Sequence, residues 1–187
     1  MLIEDHWLDC ANRQPSPNYN DRPDESDISL LVIHNISLPP FNAEAEVAKK
    51  DYVTDFFLNK LDHDEHPYFQ EIVGLEVSSH LYIRRDGEMI QYVPFNKRAW
   101  HAGRSKYQQR ENCNDFSIGI ELEGCDDVAY TDLQYQQLEL VTRAIMTAYP
   151  QINAHRITGH EFIAPIRKTD PGRAFNWQQY FQRLAGK

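Results

Sequence analysis

Residues 116–124 read Phe-Ser-Ile-Gly-Ile-Glu-Leu-Glu-Gly, and apolar and polar positions alternate strictly along them. Successive side chains of a β-strand point to opposite faces of a sheet, so the pattern predicts a strand with one apolar face. That face consists of Phe116, Ile118, Ile120 and Leu122. The opposite face holds small residues and the carboxylates Glu121 and Glu123. A small, acidic face of this kind can line a cleft.

Two upstream segments also have strand patterns. Residues 29–34 are almost continuously apolar, which is typical of a strand covered on both faces, and they end at His34. Residues 79–93 alternate polar and apolar positions on both sides of Asp86-Gly87. This arrangement predicts a β-hairpin with a two-residue turn.

Three segments have helical periodicity, namely residues 43–61, 131–148 and 176–184. The second begins with a capping box, because Gln134 follows Thr131 after three positions. The helices are interleaved with strands, and one pair of strands, the hairpin, is antiparallel. This combination predicts an α+β (mixed α/β) fold. We expect a central mixed β-sheet flanked by helices.

The composition fits one domain. A chain of 187 residues with 41% hydrophobic content can bury a core and form a cleft beside it, so residues 1–187 need no division. Residues 1–28 are polar and interrupted by Pro15, Pro17 and Pro23. We expect this N-terminal segment to pack on the surface of the domain without regular structure of its own.

Charge and targeting signals limit the partners. A net charge of −9 and a pI near 5.3 argue against nucleic acid, because phosphate binding needs clustered basic residues. No segment resembles a membrane span, and residues 1–9 lack the pattern of a signal peptide. The 3 cysteines have no C-x-x-C spacing and fit reduced thiols. We expect a cytoplasmic monomer that binds a small molecule, not nucleic acid or a membrane.

The chemistry centres on Gly159-His160-Glu161-Phe162. Asp170 follows ten positions after His160, Lys168 lies between them, and His34 ends the upstream strand. Two imidazole nitrogens and one carboxylate oxygen are a common ligand set for a catalytic zinc ion, which makes the chain a hydrolase candidate.

Each of these residues also has a purely structural explanation. His34 could be a hydrogen-bonded histidine of the core, Asp170 before Pro171 could cap a turn, and Lys168 could be solvated. A thermolysin-type H-E-x-x-H site is excluded, because Ala164 stands where the second histidine is required.

Other histidines offer weaker alternatives. His63 and His66 lie among acidic residues and could form a second metal site, although a solvated loop preorganises ligands poorly. His101 could line the cleft or support a ligand. Trp100 could stack on a sugar ring or simply pack.

Together, seven ordered blocks between residues 7 and 177 resemble the AmpD-type N-acetylmuramoyl-L-alanine amidases, part of the type 2 amidase and peptidoglycan-recognition-protein family. The blocks are His34-Asn35 and residues 84–87, 91–94, 98–103, 114–124, 158–160 and 167–172.

This resemblance implies a zinc cleft at one edge of the sheet, with one Zn²⁺ per chain held by His34, His160 and Asp170. It implies Glu121 as the catalytic proton acceptor and Lys168 as the group that stabilises the transition state. The implied substrate is a 1,6-anhydro-N-acetylmuramoyl peptide from cell-wall recycling, cut between the lactyl group and L-alanine.

Substrate contacts are expected from residues near these blocks. The candidates are Asn35, Trp100, His101 and Arg110. Arg104, Arg110 and Arg156 are unranked candidates for holding the carboxylates of the stem peptide.

Three alternatives remain open at this point. The first is a non-catalytic module of the same fold that binds muropeptides. The second is a zinc amidase that acts on other peptidoglycan fragments. The third is a general metal-binding or partner-binding domain that uses residues 63–66.

Overall fold

A six-stranded sheet forms the centre of the computed structural model, which describes residues 1–40 and 50–186. In chain order its strands are β1 (Asn12–Arg13), β2 (Leu30–Ile36), β3 (Leu81–Ile83), β4 (Met89–Gln91), β5 (Ser117–Glu123) and β6 (Ile157–Gly159). Their spatial order is β6-β2-β5-β3-β4-β1.

Strand directions are mixed, as predicted. β5 runs parallel to both β2 and β3, β6 runs parallel to β2, and β1 runs parallel to β4. β3 and β4 are antiparallel and form the predicted hairpin, but its turn is not the predicted two-residue turn. The Arg84 amide donates to the Glu88 carbonyl at 2.9 Å, so three residues, 85–87, form the loop, with Gly87 at a φ of +87°. Residues with a side chain rarely adopt this conformation, which explains the glycine.

The apolar face of β5 lies in the main core. Ile118, Ile120 and Leu122 pack there together with residues of the longest helix. Phe116 does not share their face, contrary to the simple alternation. It directly precedes the strand, at the end of a 3₁₀ turn, and packs with Leu30 on the other side of the sheet.

The α-helices are α1 (Tyr52–Phe57), α2 (Asp132–Ala148), α3 (His160–Ile163) and α4 (Trp177–Leu184). Short 3₁₀ helices span Pro67–Ile72, Cys113–Asp115 and Ala154–Arg156. The predicted capping box opens α2, and the predicted terminal helix is α4, capped by Asn176. Within residues 1–40 and 50–186, none of the helices is long and apolar enough to cross a bilayer.

The helix predicted over residues 43–61 falls partly on residues 41–49, which lie outside the described residues. In the described part it is limited to α1, which Asp51 caps by accepting from the Thr54 amide. The carbonyl of Phe57 accepts from the Ser16 hydroxyl at 2.6 Å, and this contact with the N-terminal segment accompanies the end of the helix.

The expectation that the N-terminal segment has no regular structure is wrong, because its backbone forms short strands at residues 3–4, 7–8, 12–13 and 19–20, two of which pair with residues 90–91 and 98–99. β1 pairs with β4, and the buried guanidinium of Arg22 donates to the carbonyls of Phe95, Asn114, Asp115 and Ser117. Short antiparallel pairs complete the structure: Ile3–Glu4 with Trp7–Leu8, Tyr19–Asn20 with Arg98–Ala99, and Lys106–Tyr107 with Arg110–Glu111.

The capping box gives a test of the fold. Thr131 accepts from the Gln134 amide at 3.1 Å and donates to the Arg85 carbonyl at 2.7 Å. Thr131→Ala removes both bonds, so we expect the free energy of unfolding to fall by about 1 kcal/mol in urea titrations. Thr131→Ser keeps the hydroxyl and should stay close to wild type. Equal losses in the two variants would contradict the role given to the hydroxyl.

Candidate active site

The carboxyl ends of three neighbouring parallel strands bring the predicted chemistry together. β2 carries His34, and the register of β2 with β5 places Glu121 directly beside it. β6 pairs with the other edge of β2 and leads straight into His160, the first residue of α3. The Glu161 amide donates to the Asp170 carbonyl at 2.9 Å, which holds the following loop against the same point.

Three buried side-chain atoms meet at this point. The Nδ1 atom of His34 lies 3.0 Å from Nδ1 of His160 and 2.9 Å from Oδ2 of Asp170. The third side, from His160 Nδ1 to Asp170 Oδ2, measures 3.1 Å. Their spacing is one that a single ion with bonds of about 2.0–2.2 Å can bridge.

The remaining nitrogens of both histidines are occupied. Nε2 of His160 lies 3.0 Å from the Ala102 carbonyl oxygen, which can only accept a hydrogen bond. The ring therefore carries its proton on Nε2 and leaves the Nδ1 lone pair available. Nε2 of His34 lies 2.9 Å from Nδ1 of His101.

The electrostatics suit a divalent cation. Burial, with a smaller contribution from the neighbouring His160, lowers the pKa of His34 to about 4. Burial alone would raise the pKa of Asp170, but the close contacts of its carboxylate with the rings of His160 and His34 outweigh burial and keep that pKa well below its usual range. The neutral imidazole of His34, His160 with a free Nδ1 and an ionised carboxylate form the donor set that zinc prefers.

Glu121 lies beside this cluster with unused hydrogen-bonding capacity. Its side chain is buried, and within the described chain its Oε2 atom has no hydrogen-bond partner. Its other oxygen is 4.0 Å from His34 Nδ1. Burial and the charge of Asp170 raise the pKa of Glu121 well above its usual value, and the charge of Lys168 opposes that rise.

The cluster lies in a cleft of about 660 Å³. Its charged lining includes the basic residues Arg167 and Lys168 and the carboxylates of Asp126 and Asp127. The apolar lining includes Tyr68, Ile72, Leu75 and Trp100. The cleft can thus accept an extended ligand with apolar and charged parts.

The structure places the four predicted substrate contacts differently. Asn35 lines the cleft and donates to Asp126 at 2.9 Å, and Trp100 lines it while donating to Asn20 at 2.7 Å. His101 lines the cleft but is mostly buried behind His34. Arg110 is not brought to the cleft, because it pairs with Asp27 and stacks on the ring of Phe116.

Three charged residues of the lining, Arg167, Asp126 and Asp127, are not among the predicted substrate contacts. Arg167 lies in one of the seven blocks, whereas residues 126 and 127 have no sequence signal. Of the other arginines considered, Arg104 lines a neighbouring groove and Arg156 lies 5.7 Å from the ring of Tyr107.

The alternative metal site at residues 63–66 has no such geometry. Nδ1 of His63 bonds the Phe69 carbonyl, and Nδ1 of His66 accepts from the Tyr68 amide. Among the residues described, the group of ligand atoms close enough to share an ion consists of His34, His160 and Asp170.

Residues 24–173 match the family model of N-acetylmuramoyl-L-alanine amidases. The chain belongs to this amidase family. It is 57% identical over 180 residues to the 1,6-anhydro-N-acetylmuramyl-L-alanine amidase AmpD of Escherichia coli K12, covering 96% of this chain and 95% of that one.

Solved structures of amidases are similar to this fold. The crystal structure of a Se-Met AmpD derivative has a TM-score of 0.91 and 56% identity, with 98% of this amidase and 99% of that chain covered. The E. coli amidase AmiD, solved with anhydro-N-acetylmuramic acid-L-Ala-D-gamma-Glu-L-Lys, has a TM-score of 0.61 and 27% identity, covering 84% and 57%. The resemblance to AmpD-type amidases and the mixed α/β fold are confirmed, and the chain is an amidase.

The pKa of His34 predicts a pH-dependent stability of the metal-free amidase. The pKa of His34 is about 4 in the folded protein and about 6.5 in the unfolded chain. Between these two pH values the unfolded chain therefore binds one more proton than the folded protein does. Stability contributed by the neutral ring is therefore lost as the pH falls from 6.5 toward 4. Between about pH 6.5 and 5 the loss amounts to about 2 kcal/mol.

Urea unfolding of the chelated protein measures this effect. His34→Asn should lose about 2 kcal/mol less than wild type over that interval. His155→Asn, which changes an exposed histidine, should retain the wild-type dependence. Parallel pH profiles of wild type and His34→Asn would contradict the assignment.

Proposed function

We propose that this amidase hydrolyses the amide bond between the lactyl group of 1,6-anhydro-N-acetylmuramic acid and the L-alanine of the stem peptide, using one zinc ion. The observation that carries the proposal is the contact of His34, His160 and Asp170 beside Glu121 in the cleft. The names of the AmpD relatives and the ligand of AmiD support the choice of substrate.

Zinc would be held by His34 Nδ1, His160 Nδ1 and a carboxylate oxygen of Asp170. Bound there, it would act as a Lewis acid on the scissile carbonyl and lower the pKa of the attacking water. The protein's own contribution is a buried, preorganised ligand set whose rings are fixed by contacts with residues 101 and 102.

Glu121 would accept the proton of the attacking water and pass it to the departing amine of L-alanine. Two observations support this role. Burial raises the pKa of Glu121, which makes its carboxylate a stronger base, and its Oε2 atom has no partner in the described chain. The same carboxyl group serves as acceptor and then as donor.

Lys168 would stabilise the negative charge that develops on the carbonyl oxygen. It lines the cleft, and its charge already affects the pKa of Glu121. A cation preplaced where charge develops lowers the barrier without reorganisation during the reaction.

Substrate binding would use the cleft walls. Asn35 offers an amide beside Asp126, and Trp100 gives an apolar surface on which a sugar ring can pack. Arg167, instead of Arg110, would face the carboxylates of the stem peptide, because it lines the cleft. We propose a cytoplasmic monomer that acts in peptidoglycan recycling, on the small anhydromuropeptide that the names of the AmpD relatives specify.

The activity is tested with 1,6-anhydro-muramoyl tripeptide and zinc-loaded protein, using mass spectrometry to detect free tripeptide and free anhydro sugar. We expect both products, and their loss after chelation. A reducing muramoyl tripeptide, tested in parallel, separates the anhydro-specific amidase from one that acts on other peptidoglycan fragments. Binding without any cleavage would favour the non-catalytic alternative and contradict the proposal.

Glu121→Gln tests the proton acceptor. It should retain zinc and substrate while kcat falls by about a hundredfold or more, because the base acts in the chemical step. Glu123→Gln is the matched control, since Glu123 follows on the same strand face but accepts from the Arg85 amide outside the cleft lining. A near-normal kcat of Glu121→Gln would remove Glu121 from the mechanism.

Asp170→Ala tests the ligand set. Loss of the carboxylate should leave substoichiometric zinc in elemental analysis after dialysis, whereas wild type retains about one ion per chain. Asp126→Ala changes another carboxylate of the cleft lining and should keep its zinc. Full zinc occupancy in Asp170→Ala would exclude Asp170 as a ligand.

A further inference from the structure

Both ligand histidines contact the same short piece of chain on the side away from their shared cluster. His160 Nε2 lies against the Ala102 carbonyl at 3.0 Å, and His34 Nε2 lies against His101 Nδ1 at 2.9 Å. The side chain of Asn114 anchors this pair of residues, because its Oδ1 atom accepts from the amides of residue 101 at 3.2 Å and residue 102 at 2.7 Å.

A chain of hydrogen bonds continues behind His101. Its Nε2 atom lies 3.0 Å from the hydroxyl oxygen of Ser117, and that hydroxyl donates to the Cys113 carbonyl at 2.6 Å. A hydroxyl has one proton, so Ser117 can only accept from His101. The proton of His101 therefore lies on Nε2.

The donor and acceptor of each hydrogen bond in this series can be assigned from either of its two ends. A neutral His101 with its proton on Nε2 has a lone pair on Nδ1, which accepts from Nε2–H of His34. That leaves the Nδ1 atom of His34 unprotonated, and this is the atom that faces His160 and Asp170. Starting instead from the ligand, an Nδ1 donor to a metal requires the same proton on His34 Nε2.

A glycine in strand β5 leaves room for the ring of His101. Gly119 lies in the middle of β5, and a Cβ atom there would be 2.5 Å from Nδ1 of His101. A glycine inside a strand is unfavourable for the backbone, so its presence fits a close approach by another group. The group that approaches is the imidazole of His101.

We propose that His101 is a positioning residue and that the path Cys113–Ser117–His101 fixes the proton of His34 on Nε2, so that Nδ1 is ready to bind the metal. This inference rests on the proposed zinc site. It replaces the expectation that His101 contacts substrate. Two adjacent residues thus orient the two ligand histidines: His101 contacts His34, and the carbonyl of Ala102 contacts His160.

The test compares His101 variants by the dissociation constant for zinc, measured in competition with a chromophoric chelator. His101→Leu is similar in size but offers no acceptor, and zinc binding should weaken by about tenfold to a hundredfold. His101→Asn is smaller but can place its carbonyl oxygen near the position of Nδ1, so it should bind more tightly than His101→Leu. A role in packing alone predicts the opposite order, and that order would overturn the proposal.

Ser117→Ala tests the outer part of the path. Loss of this one acceptor should weaken zinc binding by about twofold to tenfold. Ser79→Ala is the control, because Ser79 is also buried on the sheet but donates to the Leu81 carbonyl. Unchanged affinity in Ser117→Ala would overturn the part assigned to the hydroxyl.

A spectroscopic measurement needs no variant. Long-range ¹H–¹⁵N correlation NMR of the zinc-loaded wild type should report His101 as the neutral ring with its proton on Nε2. A proton on Nδ1 would overturn the proposal even if zinc binds. A wild-type protein that binds no zinc would instead overturn the proposed function, and this inference with it.

Discussion

The parallel pairing of β2 with β5 is the constraint on which the site depends. Its register runs from Leu30 beside Ser117 to Ile36 beside Glu123, and it places His34 next to Glu121. A shift of one residue would turn Glu121 into the apolar core and remove it from the cleft. The apolar residues that fix the register, including Ile118 and Ile120, therefore also fix the distance between Glu121 and the group formed by His34, His160 and Asp170.

Buried polar groups are costly unless they are paired. Nε2 of His34 pairs with His101 and Nε2 of His160 with the Ala102 carbonyl, whereas the two Nδ1 atoms and Asp170 Oδ2 face one another, an arrangement that a bound cation would stabilise. Among the residues of the site, Glu121 also has a buried oxygen, Oε2, with no hydrogen-bond partner in the described chain. A carboxylate with unused hydrogen-bonding capacity beside the proposed metal site is suited to handling a proton, which supports the role proposed for Glu121.

Sequence patterns predicted the parts of this molecule that are set by local rules. The hairpin around Gly87, the capping box of α2 and the strand around Glu121 each follow from spacing within a few residues. Arg110 could not be placed in this way, because its position depends on an ion pair with Asp27, distant in the chain. The hydrogen bond between His101 and His34 likewise depends on tertiary packing, as does the arrival of Asp126 and Arg167 in the cleft.

A crystal structure of the zinc-loaded amidase, with the metal located by anomalous scattering at the zinc edge, tests the proposed site most directly. We predict one ion per chain, bound by Nδ1 of His34, Nδ1 of His160 and the carboxylate of Asp170, with Glu121 beside it but not coordinated. An ion bound through an Nε2 atom, coordinated by Glu121, or located at residues 63–66 would contradict this prediction.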